Sequence, residues 1–260
     1  MRTLIAIPVY NEQRYLEPVI RRVLEEASRL DAHVLVIDDG STDATPALLS
    51  QFPDLSVIRH PTNLGYGRGL RDAFAYAQAG LDDWVITMDC DEQHEPAALA
   101  DFIAAARADT HDIISGSRYL TSLDGDTDAP ADRRGINAEL TREINDRLGS
   151  RYLEAGGEVI TDAFCGFKAY RVEALRSLRL SEDGYAFPMQ FWVQAAARNL
   201  RLREIAVRLI YNDPNRSFGG PLDDPHIRRD HYRRVLHCEL ERCADELPAA
   251  ALEAVNADCS

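Results

Sequence analysis

The residues best suited to chemistry are Asp89 and Asp91, within Met88-Asp89-Cys90-Asp91-Glu92-Gln93-His94-Glu95-Pro96. They follow the apolar run Trp84-Val85-Ile86-Thr87, which reads as a buried strand. Two carboxylates one residue apart then stand at a strand's carboxyl end, where open α/β sheets place their ligands. Paired hard oxygen donors in such a place suit Mg²⁺ or Mn²⁺ bound together with substrate phosphates. An isolated Asp-x-Asp is also a common acidic turn at the start of a helix, and the pair alone leaves both readings open.

Other polar clusters fall where strands should stop. The first strand ends in Ile7-Pro8-Val9-Tyr10-Asn11-Glu12 and the second in Val36-Ile37-Asp38-Asp39-Gly40-Ser41-Thr42-Asp43. Tyr10 offers an aromatic face to a base, and Asp39 can accept hydrogen bonds from a base or ribose. Asp39 before Gly40 equally suits a turn, while Asn11 and Asp43 read as helix caps. Asn63-Leu64-Gly65-Tyr66-Gly67-Arg68-Gly69 alternates three glycines and permits a tight turn. It lacks the glycine spacing and acidic partner of a dinucleotide fingerprint, so a loop leading a helix and a nucleotide-facing loop both fit.

The elements that must position these residues alternate strand and helix. Residues 4–9, 33–37, 55–60, 84–88 and 112–115 are short runs rich in Val, Ile and Leu, as buried parallel strands are. Leu16, Val19, Ile20, Val23, Leu24, Ala27 and Leu30 recur at helical spacing between the first two. Residues 69–79 and 97–108 predict further helices, the latter led in by Pro96. Repeated strand–helix–strand units imply right-handed crossovers and a doubly wound sheet.

Residues 121–134 contain four Asp and almost nothing apolar, and predict a long loop of the kind that forms lids. A helix carrying Ile136, Leu140, Ile144 and Leu148 should follow, then a segment at 164–170, a helix over 188–199 and a strand over 202–210. Phe187, Met189, Phe191 and Trp192 read as core. A Gly/Pro-rich crossing at 216–225 leads into a terminal helix with Tyr232, Val235, Leu236 and Leu240. The expected plan is one main domain over 1–220 with a helical appendage over 221–260.

Forty-three acidic residues against 29 basic ones give a net charge of −14, which argues against a nucleic-acid binder. No apolar run approaches the ~20 residues that a membrane-crossing helix needs. Five cysteines without paired spacing fit a reduced, cytoplasmic setting, with a place at a membrane surface still open.

In their order along the chain, these motifs resemble the family 2 glycosyltransferases. The nearest likeness is to dolichol- and polyprenol-phosphate mannosyl- and glucosyltransferases. The resemblance covers about residues 1–210. It continues through Ser115-Gly116-Ser117-Arg118-Tyr119, Arg133-Arg134 with Asn137, and Thr161-Asp162-Ala163-Phe164-Cys165-Gly166-Phe167-Lys168-Ala169-Tyr170-Arg171.

The resemblance implies the α/β GT-A fold, a mostly parallel twisted sheet flanked by helices. It further implies a hexose passed with inversion from a GDP- or UDP-sugar to a polyprenyl phosphate. Pro8, Tyr10, Glu12, Ile37 and Asp39 would hold the nucleoside, with Asp89, Cys90, Lys168 and Arg216 also on the nucleotide sugar. Asp89, Asp91 and Gln93 would bind Mg²⁺ or Mn²⁺, and Arg118, Arg133 and Arg134 the acceptor phosphate. Asp89, Asp91 and Arg118 would be catalytic, and Asp162 the base if the acceptor were a hydroxyl.

The chain departs from the family pattern in three places. Cys90 stands for a usual alanine, and Glu92 for a frequent glycine. Asn215-Arg216-Ser217-Phe218-Gly219-Gly220 stands for a usual Gly-x-Ser segment. Transfer to a soluble acceptor, and an idle nucleotide-sugar-binding protein that docks through its terminal helix, are the alternatives.

Overall fold

A computed structural model describes residues 1–213, 217–255 and 259. The chain runs β1 (Thr3–Val9), α1 (Leu16–Leu30), β2 (His33–Asp38), α2 (Thr45–Leu49), β3 (Ser56–Arg59), α3 (Tyr66–Gly80) and β4 (Trp84–Thr87). It continues α4 (Leu99–Arg107), β5 (Ile113–Ser117), α5 (Ala131–Glu154), β6 (Lys168–Arg171), α6 (Val172–Leu175), α7 (Phe187–Ala197), β7 (Leu202–Ala206) and α8 (Pro225–Arg242). The seven strands form one sheet in the order β3-β2-β1-β4-β6-β5-β7. Every pairing is parallel except those of β6, which runs antiparallel to both β4 and β5.

Strand periodicity divides the core into two layers. Leu4, Ala6, Leu35 and Ile37 face a layer built with α3, α5, α7 and α8, while Ile5, Ile7, Val34 and Val36 face one built with α1 and α4. Both faces of the sheet are therefore covered, which explains the continuous apolar runs. Pro8 is tolerated in a central strand because β1 pairs with β4 only as far as Ala6, and the proline follows that pairing.

Several elements differ from expectation at their ends. α3 begins at Tyr66, three residues early, and α5 begins at Ala131, so Arg133 and Arg134 lie in its first turn rather than on the loop. The remaining loop is pinned by Asp126, whose Oδ1 accepts from the Leu209 N–H at 2.9 Å, and by the Thr127 N–H donated to the Leu209 carbonyl at 2.8 Å. β7 stops at Ala206 instead of 210.

α8 starts on Asp224, whose side chain accepts from the His226 and Ile227 N–H groups, with Pro225 at the favoured first position. Its Tyr232, Leu236 and Leu240 join the same core layer as α5 and α7. Cys238 and Cys259 form a disulfide, which corrects the expectation of five unpaired cysteines; Cys90, Cys165 and Cys243 are buried thiols. Among the described residues no helix is long and apolar enough to cross a membrane.

Candidate active site

A cleft of about 770 Å³ opens at the carboxyl ends of β1, β2 and β4. Its wall includes Pro8, Tyr10, Glu12, Asp39, Asp89, Cys90, Asp91, Gln93, Arg118, Arg133 and Lys168. Three expected residues lie off that wall: Ile37 is buried in β2, Arg134 is exposed, and Asp162 has no exposed surface. Arg216 lies outside the described residues.

At the nucleoside end, Tyr10 is 44% exposed and presents its ring to the cleft. The two strand-end loops are laced together. Asn11 sits in the left-handed region (φ 56°) and its Oδ1 accepts from the Thr42 N–H at 2.8 Å, while the Asn11 N–H donates to Ser41 Oγ at 2.9 Å. Asn11 thus ties loop to loop rather than capping a helix, and Asp43 accepts from the Thr45 and Gln13 N–H groups.

Asp39 is almost fully engaged. Its Oδ1 accepts from the Leu64 N–H at 2.8 Å and meets His60 Nδ1 at 2.7 Å, and its Oδ2 accepts from the Gly65 N–H at 2.8 Å. His60 Nε2 in turn meets Asp72 Oδ2 at 2.8 Å, which also accepts from Arg68 Nε at 2.9 Å. Gly65 has φ 107°, and a Cβ there would stand 2.3 Å from the Asp183 carbonyl, so close packing explains this glycine.

The β4 end carries the carboxylates. The Asp89 N–H donates to His94 Nδ1 at 2.9 Å, and the Gln93 N–H donates to Asp91 Oδ1 at 3.0 Å. Burial pushes the His94 imidazole down to about 4, keeping it neutral and able to accept. Tyr66 donates to Asp89 Oδ1 at 3.4 Å and stacks on Tyr185.

Glu92 adopts φ 61°, a conformation that favours the glycine of the family pattern given above, and is held by Arg22 at 2.6 Å. A Cβ on Gly166 would stand 2.7 Å from Asp89 Oδ2. Among the described residues no three His, Cys, Asp or Glu side chains group as a metal cage. A hard divalent ion bound with phosphates needs only one or two carboxylates, because substrate oxygens and water complete its shell. Asp89 and Asp91 on one wall meet that requirement.

Basic residues also line the cleft. Arg118 donates Nε to Asp162 Oδ2 at 2.7 Å and Nη2 to Oδ1 at 2.9 Å, a bidentate fork. Asp162 Oδ1 also accepts from Asn137 Nδ2 at 2.7 Å. Burial alone would raise the Asp162 carboxyl, but the Arg118 charge overcomes it and holds it down to about 2. Buried and weakly basic, Asp162 is paired with Arg118, which sets it poorly for the base role expected of it if the acceptor were a hydroxyl.

Lys168 is buried with its Nζ donating to the Cys165 carbonyl, and burial lowers its proton affinity. Arg133 stacks on Phe218 at 4.8 Å. Arg228 of α8 stacks on that ring at 4.4 Å and pairs with Asp132.

Arg228, Phe218, Tyr66, Tyr185 and Tyr232 also line the cleft, though none was expected there. Tyr66 lies in the glycine-alternating stretch 63–69, whose possible nucleotide-facing role is a signal for it. Arg228 carried no local signal, being one of several arginines on an amphipathic helix.

A carboxyl-end cleft in a mostly parallel sheet, lined by aromatic rings, paired acids and cations, defines a nucleotide-sugar transferase of the GT-A fold. The chain belongs to Glycosyl transferase family 2, whose sequence pattern residues 4–179 match, and it is a hexosyltransferase.

It is 31% identical over 214 residues to the polyprenol monophosphomannose synthase of Mycolicibacterium smegmatis, covering 79% of this chain and 76% of that protein. It is 28% identical over 218 residues to the undecaprenyl-phosphate mannosyltransferase of Micrococcus luteus, covering 81% of this chain and 84% of that one. Among solved structures it is similar to glucosyl-3-phosphoglycerate synthase from Mycobacterium tuberculosis in complex with Mn²⁺, uridine diphosphate and phosphoglyceric acid. That likeness has a TM-score of 0.61 at 20% identity and covers 95% of this chain and 79% of the other, and it is one of fold.

Proposed function

We propose that the protein moves a hexose, mannose or glucose, from a GDP- or UDP-sugar to a polyprenyl phosphate, with inversion and with Mg²⁺ or Mn²⁺. The observation that carries this reading is the polarity of the cleft, with Asp89 and Asp91 on one wall and Arg118, Arg133 and Lys168 also lining it. Two relatives that are polyprenyl-phosphate mannosyltransferases support the acceptor class.

An acceptor phosphate oxygen attacks the anomeric carbon. The new C–O bond forms as the bond to the donor's β-phosphate oxygen breaks, and the electron pair leaves with the nucleoside diphosphate. A divalent ion, when bound, offsets the charge growing on that diphosphate. Asp89 and Asp91 would hold it, with Gln93 beside them. Arg118 and Arg133 present guanidinium N–H groups to the acceptor phosphate, and Arg118 keeps its direction through Asp162.

A phosphate acceptor is already ionised near neutral pH, so no strong base is needed, in keeping with Asp162 being spent on Arg118. Incubation with labelled GDP- and UDP-hexoses tests the acceptor: label should pass into organic extracts when polyprenyl phosphate is supplied. Transfer only to soluble phosphorylated acceptors would contradict the reading.

A further inference from the structure

We infer that Phe218 is a positioning residue for the acceptor: its ring, mounted on Arg228 of α8, holds the Arg133 guanidinium in place at the cleft. The inference rests on Arg133 binding the acceptor phosphate, as proposed above, and adds a residue that acts through it. Phe218 and Arg228 lie beyond residues 4–179, the stretch that carries the family pattern.

Arg133 sits in the first turn of α5, and its guanidinium carbon stands 4.8 Å from the centre of the Phe218 ring and 5.9 Å from that of Tyr211. Arg228 approaches the same Phe218 ring at 4.4 Å. Tyr185 packs edge-on against it, with ring centres 5.3 Å apart. All of these residues line the cleft.

An aromatic face attracts a cation, and the attraction grows where water is excluded. One ring thereby gathers two guanidinium groups that would otherwise repel each other. The two are not equivalent. Arg228 is 3% exposed, donates Nη1 to the Leu222 carbonyl at 2.8 Å and pairs with Asp132. It is committed to the protein and serves as the mount, while Arg133 is half-buried.

The ring is also fixed through its own backbone. The Phe218 N–H donates to Asp223 Oδ1 at 2.8 Å, Ser217 Oγ donates to the same oxygen at 2.7 Å, and the Gly219 N–H donates to Ser217 Oγ at 2.9 Å. Asp223 thus closes a tight loop just before α8. An arginine side chain has many rotamers, and ordering it around a phosphate costs affinity. A guanidinium already stacked on a fixed ring loses less freedom on binding, so the acceptor is held more tightly while the donor carboxylates Asp89 and Asp91 are unaffected.

Steady-state transfer by the full chain from labelled nucleotide sugar to farnesyl phosphate, with MnCl₂, tests this. In Phe218→Leu, which keeps apolar bulk and removes the ring, KM for farnesyl phosphate should rise roughly threefold to thirtyfold, with KM for the nucleotide sugar unchanged. Phe218→Tyr, which keeps the ring, should retain the KM of the unaltered protein. In an Arg133→Met background, Phe218→Leu should add almost nothing, because the ring acts through that arginine. An unchanged acceptor KM in Phe218→Leu, an equal rise in both KM values, or a full further rise in the Arg133→Met background would overturn the inference while leaving the acceptor reading intact. Absence of transfer to farnesyl phosphate by the unaltered protein would overturn that reading, and the inference with it. Should Phe218→Leu fail to fold, Asp223→Ala, which releases the loop without altering either arginine, should raise the acceptor KM in the same direction, and an unchanged value there would overturn the inference.

Discussion

Five hydrogen bonds converge on the Asp162 carboxylate, from the Arg118 N–H, Nε and Nη2, from Asn137 Nδ2 and from the Phe164 N–H. Its folded proton affinity is held at about 2 against an ordinary 3.8, so the folded state is favoured by the ionised form. That contribution is fully present above about pH 4 and is lost as pH falls toward 2. Asp162→Asn leaves the Arg118 guanidinium buried without its counter-charge and should cost ~3–5 kcal/mol at pH 7. Denaturant melts of both proteins at pH 7 and pH 3 check the sign: the gap should shrink by about 1 kcal/mol at the lower pH. A gap that stays constant would mean that Asp162 is not the charged partner.

The β4 end and the segment leading into β6 meet at Gly166, where backbone and carboxylate are too close for any side chain. Gly166→Ala would place its Cβ 2.7 Å from Asp89 Oδ2 and 2.8 Å from Tyr66 Oη. Its backbone φ is outside the left-handed range, so the fold should survive while Asp89 is displaced; we expect kcat/KM to fall by roughly tenfold to a hundredfold, read by steady-state kinetics beside a melting curve. An unchanged kcat/KM would show that Asp89 can shift without consequence.

Elements differ in how far the sequence discloses them. β1, β2 and β4 are legible because burial on both faces leaves unbroken apolar runs. The antiparallel direction of β6 is not, since it is decided by pairing with β4 and β5 far along the chain. The start of α5 was hidden by the polar, Asp-rich residues before it. Asp89, Asp91 and Asp39 could be found as strand-end acids, whereas Asp162 reads as a base until its pairing with Arg118 is seen.

The whole molecule carries 14 excess negative charges, yet Arg118, Arg133, Lys168 and Arg228 line its cleft. Arg228 reaches the cleft from α8 and pairs with Asp132, 96 residues away in sequence, a juxtaposition that only the packing of α8 on α5 and α7 creates. The terminal helix therefore contributes to the cleft as well as to the core, which no local pattern in its sequence announces. Donor chemistry at the paired acids and phosphate capture by the arginines form the central claim. It is tested most directly by measuring sugar transfer from labelled nucleotide sugar to polyprenyl phosphate, with Mn²⁺, in the unaltered protein and in Asp91→Ala. We predict lipid-extractable product from the former and a rate at least about a hundredfold lower from the correctly folded variant; undiminished transfer by Asp91→Ala would contradict the account.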